Sequence, residues 1–375
     1  MQRYDVAIVG AGIVGLAHAL AAARHGQRII VIDRDAAANG ASIRNFGFVT
    51  VTGQAAGDVW QLARRSATVW AEVAAAAAIP IEQRGLLLTA RRPEAEAVLD
   101  AFLATDMGSD CVRLSARDLA RDWPMVAQMR AALWSPHDLR VESRAAIPRL
   151  AAWLAEAHGV TFAYGTAVHS VSNGRLDTTA GPIAADRIVL CPGDDWATLF
   201  PDIYAAAGIT RCTLQMLRLA PPGWRIAAPV MGDLSMVRYA GYAALPEAVA
   251  LRARLEEEAA ETLADGVHLI VVQGADGSLV VGDSHHYAAT PPPFAPAAVE
   301  GRILAAYAEC LGAPPAVIER WTGTYASGAD HHLIAAPMPD VRLVVVTGGT
   351  GASTAFALAE RVINQWTGID RKSVV

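Results

Sequence analysis

The first 33 residues constrain the fold more than any other part of the chain. They include YDVAIVGAGIVGLAHALAAARHGQRIIVID, in which an apolar run, three glycines spaced as GxGxxG, an alanine-rich segment and a second apolar run follow one another. This order predicts a buried strand ending at Val9, a tight turn, a helix from about Ile13 and a second strand closing at Asp33. The N-terminus is therefore expected to form one βαβ unit.

Each residue of this motif has a physical task in a dinucleotide site. Gly10 permits the turn, Gly12 lets the backbone approach a pyrophosphate, and Gly15 lets the helix pack on the strand. Asp33 is placed to accept hydrogen bonds from ribose hydroxyls, and an acid there favours a free 2′-hydroxyl, although Arg34 follows it. A glycine turn without a ligand is the alternative, but the strand before it and the helix after it make this interpretation improbable.

Composition and charge exclude several classes of partner. A chain of 375 residues with 53% hydrophobic and 18% charged residues fits a well-packed protein of two domains. The net charge of -6 and the absence of a Lys/Arg-rich run predict no nucleic-acid partner. No signal-peptide pattern opens the sequence, and polar residues interrupt the later apolar stretches, so no membrane span is expected and the cytoplasm is the default location.

The four cysteines do not indicate a disulfide framework or a metal site. Cys111, Cys191, Cys212 and Cys310 are far apart, without CxxC or zinc-ligand spacing. They are interpreted as buried thiols, and no metal is predicted.

Two further segments favour a flavin over a nicotinamide nucleotide. ADRIVLCPGDDW, residues 185–196, and VRLVVVTGGTGAST, residues 341–354, each read as an apolar strand followed by glycine, and both resemble flavoprotein motifs. No second GxGxxG indicates a separate nicotinamide domain. The stretch from Gly348 to Gly351 can begin a helix whose N-terminus stabilises negative charge on a reduced flavin. A simple glycine-rich turn is the alternative.

Together these motifs resemble the glycine oxidase and sarcosine oxidase branch of the D-amino-acid oxidase superfamily over nearly the whole chain. The order comprises the GxGxxG motif, a serine-containing segment after Asp33, RVESRAAIPRLAAWLAEAHGVTFAYGTAV, the strand ending at Gly193, and TGGTG. Within the branch, ASIRNFGF, FPDIYAAAGITRCTLQMLR and VVGDSHHY resemble a bacterial subgroup associated with phosphonate breakdown.

The resemblance implies an α/β fold in which a Rossmann-like FAD-binding domain is interleaved with an antiparallel-sheet substrate domain. Residues 1–85, 140–212 and 318–370 are expected to form the first domain, and residues 86–139 and 213–317 the second. Sequence patterns predict helices near 55–79, 144–158, 295–310 and 350–366, and strands near 160–172, 213–219, 267–284 and 341–347. VVQGADGSLVV is expected to form a hairpin with Asp276 and Gly277 at its turn.

The resemblance also implies how FAD is held. Sarcosine oxidases attach their flavin through a cysteine, but WTGTYAS has Gly323 at the matching position, so non-covalent FAD is expected. Val168 matches the position whose backbone holds adenine, and Ser42, Asn45 and Gly47 match the segment along the pyrophosphate and flavin. The complete set of expected cofactor-binding residues is Gly10, Gly12, Gly15, Asp33, Arg34, Ser42, Asn45, Gly47, Val168, Gly193, Gly348, Gly349 and Gly351.

A substrate with an anionic end requires basic or hydrogen-bonding groups in the pocket. Because the chain has one lysine, Lys372, arginine is the expected cationic anchor, and its fork suits oxyanions. Arg44 is expected beneath the flavin and Arg218 on a strand reaching the pocket, while Arg238 with Tyr239 is a third candidate. For each arginine the alternative is a surface or interdomain salt bridge.

Histidine can accept an amine proton or hydrogen-bond an anion near neutral pH. His285 and His286 are neighbours on a strand, so at most one should face the flavin, and His285 is favoured. The family positions add His268, Gln273 and Tyr325 as pocket candidates. The alternative for each histidine is a surface or satisfied core side chain, and His331 with His332 can equally be a loop pair.

The subgroup resemblance implies FAD-dependent oxidation of a small aminophosphonate. N-methyl-2-aminoethylphosphonate would give 2-aminoethylphosphonate and formaldehyde, or 2-aminoethylphosphonate would give phosphonoacetaldehyde and ammonia. The electron acceptor is either O2 or another carrier, because no lysine matches the one that sarcosine oxidase uses with oxygen. The alternatives are a glycine/sarcosine-type or 2-hydroxy-acid oxidoreductase, and a flavin-binding regulatory protein without turnover.

Overall fold

The computed structural model describes residues 3–126 and 128–367. Its strands are β1 (Arg3–Val9), β2 (Ile29–Ile32), β3 (Phe48–Val49), β4 (Ile81–Ala90), β5 (Val112–Ser115), β6 (Ala131–Val141), β7 (Thr161–Ala163), β8 (Val168–Ser172), β9 (Arg175–Thr178), β10 (Gly181–Leu190), β11 (Thr210–Leu219), β12 (Val230–Met231), β13 (Ile270–Gln273), β14 (Leu279–Gly282), β15 (His286–Ala288), β16 (Val317–Met338) and β17 (Val341–Gly348).

The α-helices are α1 (Ile13–Arg24), α2 (Asp58–Ala76), α3 (Pro93–Leu103), α4 (Ala116–Asp122), α5 (Ser143–His158), α6 (Pro201–Ala206), α7 (Asp233–Met236), α8 (Ala240–Ala243), α9 (Ala248–Glu258), α10 (Ala260–Ala264), α11 (Ala297–Leu311) and α12 (Gly351–Thr367). Two short 3-10 helices span Ala41–Ile43 and Asp106–Gly108.

A parallel sheet is built around the N-terminal strand. Its strands lie in the order β7, β2, β1, β10 and β17, each parallel to its neighbour. All four residues of β2 are buried, as expected for a strand that is covered on both faces. The helices α1, α2, α5 and α12 contribute apolar residues to the core on this sheet, including Leu16, Trp70, Leu150 and Phe356.

A mainly antiparallel sheet forms the other half of the molecule. It runs from β11 through β14, β13, β12 and β4 to β6, and only the β12–β4 pair is parallel. The long strand β16 belongs to both halves, because residues 317–327 pair with β11 and residues 332–338 pair with β17. The two sheets therefore meet along one continuous strand.

The predicted elements are found close to their expected positions. The four alanine-rich helices correspond to α2, α5, α11 and α12, and the predicted βαβ unit is β1, α1 and β2. The predicted hairpin is confirmed: β13 and β14 are antiparallel, and Gly277 has a φ of +84°, which an L side chain rarely adopts. The alternative that His331 and His332 form a loop is wrong, because both residues lie within β16.

The α/β fold class is confirmed, while the predicted domain limits stay a prediction. Segments distant in sequence do alternate between the two sheets, since β1, β2, β7, β10 and β17 contribute to one and β4, β6 and β11 to β14 contribute to the other. Among the helices of residues 3–126 and 128–367, none combines the length and apolar character that crossing a membrane requires.

Candidate active site

A cavity of about 920 Å³ lies where the two sheets meet. It is lined from the parallel sheet by the turn after β1, and from the other half by side chains beside β11 and β14. Its volume is near the upper end of the range for small-molecule sites, about 300–1,000 Å³. The cavity therefore has room for a large cofactor and a small substrate.

The three glycines of the N-terminal motif are required by close approaches of other atoms. Gly10 has a φ of +105°, and a Cβ on it would collide with the carbonyl oxygen of Cys191. A Cβ on Gly12 would lie 2.9 Å from Ser42 Oγ, and one on Gly15 would collide with the carbonyl oxygen of Gly10. All three line the cavity, so bare backbone and the N-terminus of α1 face a ligand there.

Asp33 lies at the end of β2 and lines the same part of the cavity. Its Oδ2 accepts a hydrogen bond from the Ala11 N–H (2.7 Å), and its Oδ1 accepts one from the Asp35 N–H (2.9 Å). Each carboxylate oxygen keeps a further lone pair with which it can accept from a ribose hydroxyl. Arg34 also lines the cavity, but its guanidinium donates to Asp195 Oδ2 (2.8 Å).

The backbone of Gly10, Gly12 and Gly15 is called the glycine cradle below. The segment after β2 stabilises this cradle mainly through hydrogen bonds. Ser42 Oγ accepts from the Ile13 N–H (2.9 Å) at the start of α1. Asn45 lines the cavity, yet its amide donates to the Ala41 carbonyl and its Oδ1 accepts from the Gly47 N–H and from the hydroxyl of Ser143.

Gly47 does not line the cavity. It has a φ of +69°, and a Cβ there would collide with the Val141 carbonyl, so packing against β6 explains this glycine. A direct contact of Gly47 with the cofactor stays a prediction.

The remaining expected cofactor residues lie around the same cavity. They are Val168, Gly193, Gly348, Gly349 and Gly351. Gly349 has a φ of +70°, and a Cβ there would lie 3.0 Å from the ring of Tyr325. Because α12 begins at Gly351, a second helix N-terminus faces the cavity, as the sequence predicted for the flavin end.

These features fit a long, two-part anionic cofactor. The exposed backbone of the first glycine motif and the Asp33 carboxylate suit the nucleotide part of such a cofactor. The N-terminus of α12 suits a flavin ring, which becomes negatively charged on reduction. The residues present therefore fit FAD.

Two arginines reach the cavity without an acidic partner. Arg44 donates to the amide oxygen of Asn39 (2.8 Å), and Arg238 donates to the hydroxyl of Tyr287 (3.0 Å). Within the described part of the chain, neither guanidinium has a carboxylate within 4.0 Å. Both guanidiniums can meet an anionic ligand at the cavity, although Arg238 also interacts at longer range with the Asp283 carboxylate.

Arg218 and Gln273 do not line the cavity, contrary to expectation. The guanidinium of Arg218 donates to Glu319 (3.1 Å) and to the Ser278 hydroxyl (2.9 Å), so the salt-bridge alternative accounts for it.

The side chain of Gln273 is engaged by neighbouring backbone. Its amide donates to the carbonyls of Trp224 and Gly277, and its oxygen accepts from the Ile226 N–H. Gln273 therefore connects β13 to the backbone of residues 224–226 and of the hairpin turn.

A buried polar cluster of His268, Asp283 and His285 lines the same cavity. His268 Nε2 lies 3.1 Å from Asp283 Oδ1, and His285 Nε2 lies 3.8 Å from Asp283 Oδ2. The imidazole rings of the two histidines stack with their centroids 5.1 Å apart. Burial lowers the pKa values of both histidines, and burial raises the pKa of Asp283 to about 7 against the opposing charge of Arg238.

Sequence reasoning missed Asp283, although a signal for it was present. Asp283 precedes His285 by two positions, and side chains two apart on an extended chain share a face. His268 joins them because its backbone N–H and C=O pair with those of Asp283. His285 lines the cavity and His286 does not, as the alternation predicted.

The glycine cradle and the N-terminus of α12 line one cavity. This arrangement is typical of a dinucleotide-binding protein with space for a small molecule beside its cofactor. Residues 5–365 match the model of the family FAD dependent oxidoreductase, and the chain belongs to that family. The predicted cofactor, FAD, and the predicted enzyme class, an FAD-dependent oxidoreductase, are confirmed. No curated protein matches the chain in sequence.

Solved structures share this fold at low sequence identity. Glycine oxidase from Geobacillus kaustophilus is 18% identical, with a TM-score of 0.79 over 99% of this chain and 96% of that one. Iminodiacetate oxidase from Chelativorans sp. BNC1 is 18% identical, with a TM-score of 0.71 over 98% and 97%. L-alpha-glycerophosphate oxidase from Mycoplasma pneumoniae, solved with FAD bound, is 14% identical, with a TM-score of 0.74 over 98% and 95%.

Proposed function

We propose that this enzyme oxidises a small amine that carries an anionic group, and that the substrate is an aminophosphonate. The observation that supports an anionic substrate is the pair Arg44 and Arg238, which line the cavity without a carboxylate within 4.0 Å in the described residues. Arginine binds phosphonate oxygens through its planar fork of N–H donors. The names of glycine oxidase and iminodiacetate oxidase, which share the fold, agree with an amine substrate.

FAD, when bound, supplies the two-electron oxidation of the carbon beside the amine nitrogen. The chain's own contribution is to hold the cofactor at the glycine cradle and to orient the amine. We expect the cofactor to be non-covalent, because Gly323 stands where the sarcosine oxidase cysteine would be. A Cβ at Gly323 would lie 2.9 Å from the Arg44 carbonyl oxygen, so even a small side chain is crowded there.

The amine must lose its extra proton before it can be oxidised. Tyr239 and Tyr325 line the cavity, but burial raises the pKa values of both phenols. They stay protonated and can donate hydrogen bonds, so neither phenol takes up the amine proton. The rate of flavin reduction should therefore rise as the pH approaches the pKa of the substrate amine, and a rate that stays flat would contradict this step.

The product imine is hydrolysed by water. An N-methyl substrate would give formaldehyde and the primary amine, and primary 2-aminoethylphosphonate would give phosphonoacetaldehyde and ammonia. When bound, FAD would pass its two electrons on to O2 or to another acceptor, and the cationic Arg44 side chain in the cavity would stabilise negative oxygen species. The one lysine, Lys372, lies outside the described residues. The cytoplasmic location stays a prediction.

Anaerobic flavin reduction tests the substrate class. The purified yellow protein would be mixed with N-methyl-2-aminoethylphosphonate, 2-aminoethylphosphonate, sarcosine, glycine or L-alpha-glycerophosphate while the visible flavin absorption is followed. Fast bleaching by an aminophosphonate alone is expected. Bleaching only by sarcosine or glycine would replace the phosphonate with a carboxylate, and bleaching only by L-alpha-glycerophosphate would replace the amine with an alcohol.

Arginine substitutions test the anchor. Arg238→Gln and Arg44→Gln should each raise the Kd for the aminophosphonate about 10- to 150-fold, since a hydrogen bond to a charged group contributes about 1.5–3 kcal/mol. Arg218→Gln is the matched control, because that guanidinium lies away from the cavity. Equal losses in all three variants would point to a structural effect and contradict the assignment.

A further inference from the structure

Three buried side chains on the cavity wall converge with their polar atoms. His268, Asp283 and His285 are 4%, 4% and 7% exposed, and each offers one ligand atom within 4.8 Å of the other two. They come from two paired segments, which hold the three groups at fixed positions.

Hydrogen bonds to the far side of each ring decide where its proton lies. His285 Nδ1 is 2.9 Å from the Gly266 carbonyl oxygen, which can only accept, so Nδ1 carries the hydrogen. The Ser235 hydroxyl donates its one hydrogen to the Leu269 carbonyl (3.1 Å), so at 3.4 Å it can only accept from His268 Nδ1.

In both neutral rings the Nε2 atom therefore carries a lone pair that is directed toward Asp283. The ionised Asp283 carboxylate has no hydrogen to donate to either lone pair. No residue of 3–126 or 128–367 donates a hydrogen bond to Asp283 Oδ1. Lone pairs that face one another in a buried place repel, unless an electron-pair acceptor lies between them. A shared proton can satisfy the 3.1 Å contact with His268, but the 3.8 Å separation from His285 is too long for a hydrogen bond.

A metal ion held by both Nε2 atoms and by the Asp283 carboxylate, whose two oxygens make the two contacts, would account for both separations. Two ligands bound about 2.1 Å from a tetrahedral ion lie about 3.4 Å apart, between the two observed separations. Metal-binding histidines commonly donate their other ring N–H to a carbonyl or another oxygen, as both rings do here. We propose that His268, Asp283 and His285 bind a divalent transition-metal ion such as Zn²⁺.

The ion would present its open positions to the cavity, because all three residues line it. This role rests on the proposed function. Without a metal ion, the charged Asp283 carboxylate would repel a phosphonate. With a divalent ion bound, the site of two neutral imidazoles and one carboxylate would carry a net charge of +1 beside Arg238. The metal then coordinates a phosphonate oxygen and Arg238 binds another.

Metal titration of the FAD-loaded, tag-free protein tests the site. After treatment with a chelator, the protein should bind one equivalent of Co²⁺ with a new visible absorption beyond the flavin bands, and Zn²⁺ should displace it. Asp283→Asn and His285→Asn should lose this stoichiometric binding. His286→Asn, the neighbouring histidine that does not line the cavity, should retain it.

FAD content and thermal melting establish that each variant is folded. Absence of stoichiometric Co²⁺ or Zn²⁺ in the parent protein, or unchanged binding in folded Asp283→Asn, would overturn the proposal in favour of a shared proton. Methylphosphonate, which has no amine to oxidise, should shift the Co²⁺ bands. Metal binding without that shift would overturn the anchoring role, and neither result depends on whether any amine reduces the flavin.

Discussion

The free energy of unfolding is expected to fall by about 2 kcal/mol between about pH 7 and pH 5 because of His18. Replacing His18 by glutamine should abolish this part of the pH dependence. His18 is fully buried in α1, and its Nδ1 donates to the Val14 carbonyl (2.7 Å). Its Nε2 has no partner within the described residues. The folded protein therefore holds this ring neutral.

The magnitude follows from the pKa difference between the two states. Burial lowers the pKa of His18 from 6.5 to about 4 in the folded protein. Between these values the unfolded chain binds a proton that the folded protein does not, so stability decreases as the pH falls. The full difference corresponds to about 3.4 kcal/mol, of which about 2 kcal/mol is lost between about pH 7 and pH 5.

Urea unfolding at both pH values, with the same excess of FAD, measures the effect. The difference in free energy of unfolding between the two pH values should be about 2 kcal/mol smaller in His18→Gln than in the parent. His169→Gln replaces an exposed histidine and serves as the control. An unchanged pH difference in a folded His18→Gln protein would refute the argument that burial keeps this ring neutral.

Three further predictions concern the cofactor and the core. Gly12→Ala should raise the Kd for FAD about tenfold, measured by fluorescence titration, because its Cβ would lie 2.9 Å from Ser42 Oγ and displace the hydroxyl that accepts from the Ile13 N–H. An unchanged Kd would mean that this contact does not affect FAD binding. Acid precipitation should release all the FAD, because Gly323 offers no thiol, and yellow colour in the pellet would contradict this. Asp138→Ala should lower the free energy of unfolding by about 3 kcal/mol, because Asp138 is buried and accepts from two backbone N–H groups and the Thr52 hydroxyl. A loss below about 1 kcal/mol in urea unfolding would mean that water replaces these bonds.

Features encoded in contiguous residues could be predicted closely. The first strand, turn and helix lie where the pattern of residues 4–33 indicates, and α12 begins within the TGGTG stretch. Such features depend on local requirements, such as the positive φ of Gly10 and Gly349 and the burial of apolar strands. The fold class and the cofactor were predicted from these motifs together with the family resemblance that they carry.

Side-chain roles that depend on distant partners could not be predicted in the same way. Arg218 lies on the expected strand, but Glu319 and Ser278 engage it away from the cavity. Gln273 is engaged by backbone of two other segments. Whether a polar side chain is free for a ligand depends on which groups the fold brings beside it.

The cluster at the cavity wall shows this division most clearly. The sequence by itself placed Asp283 and His285 two positions apart, the spacing at which side chains of an extended chain share a face. Only the tertiary structure brought His268 opposite Asp283 and supplied Ser235 and Gly266 behind the rings. Local geometry follows from backbone stereochemistry, whereas the meeting of His268 with Asp283 depends on the pairing of the segments that flank β13 and β14.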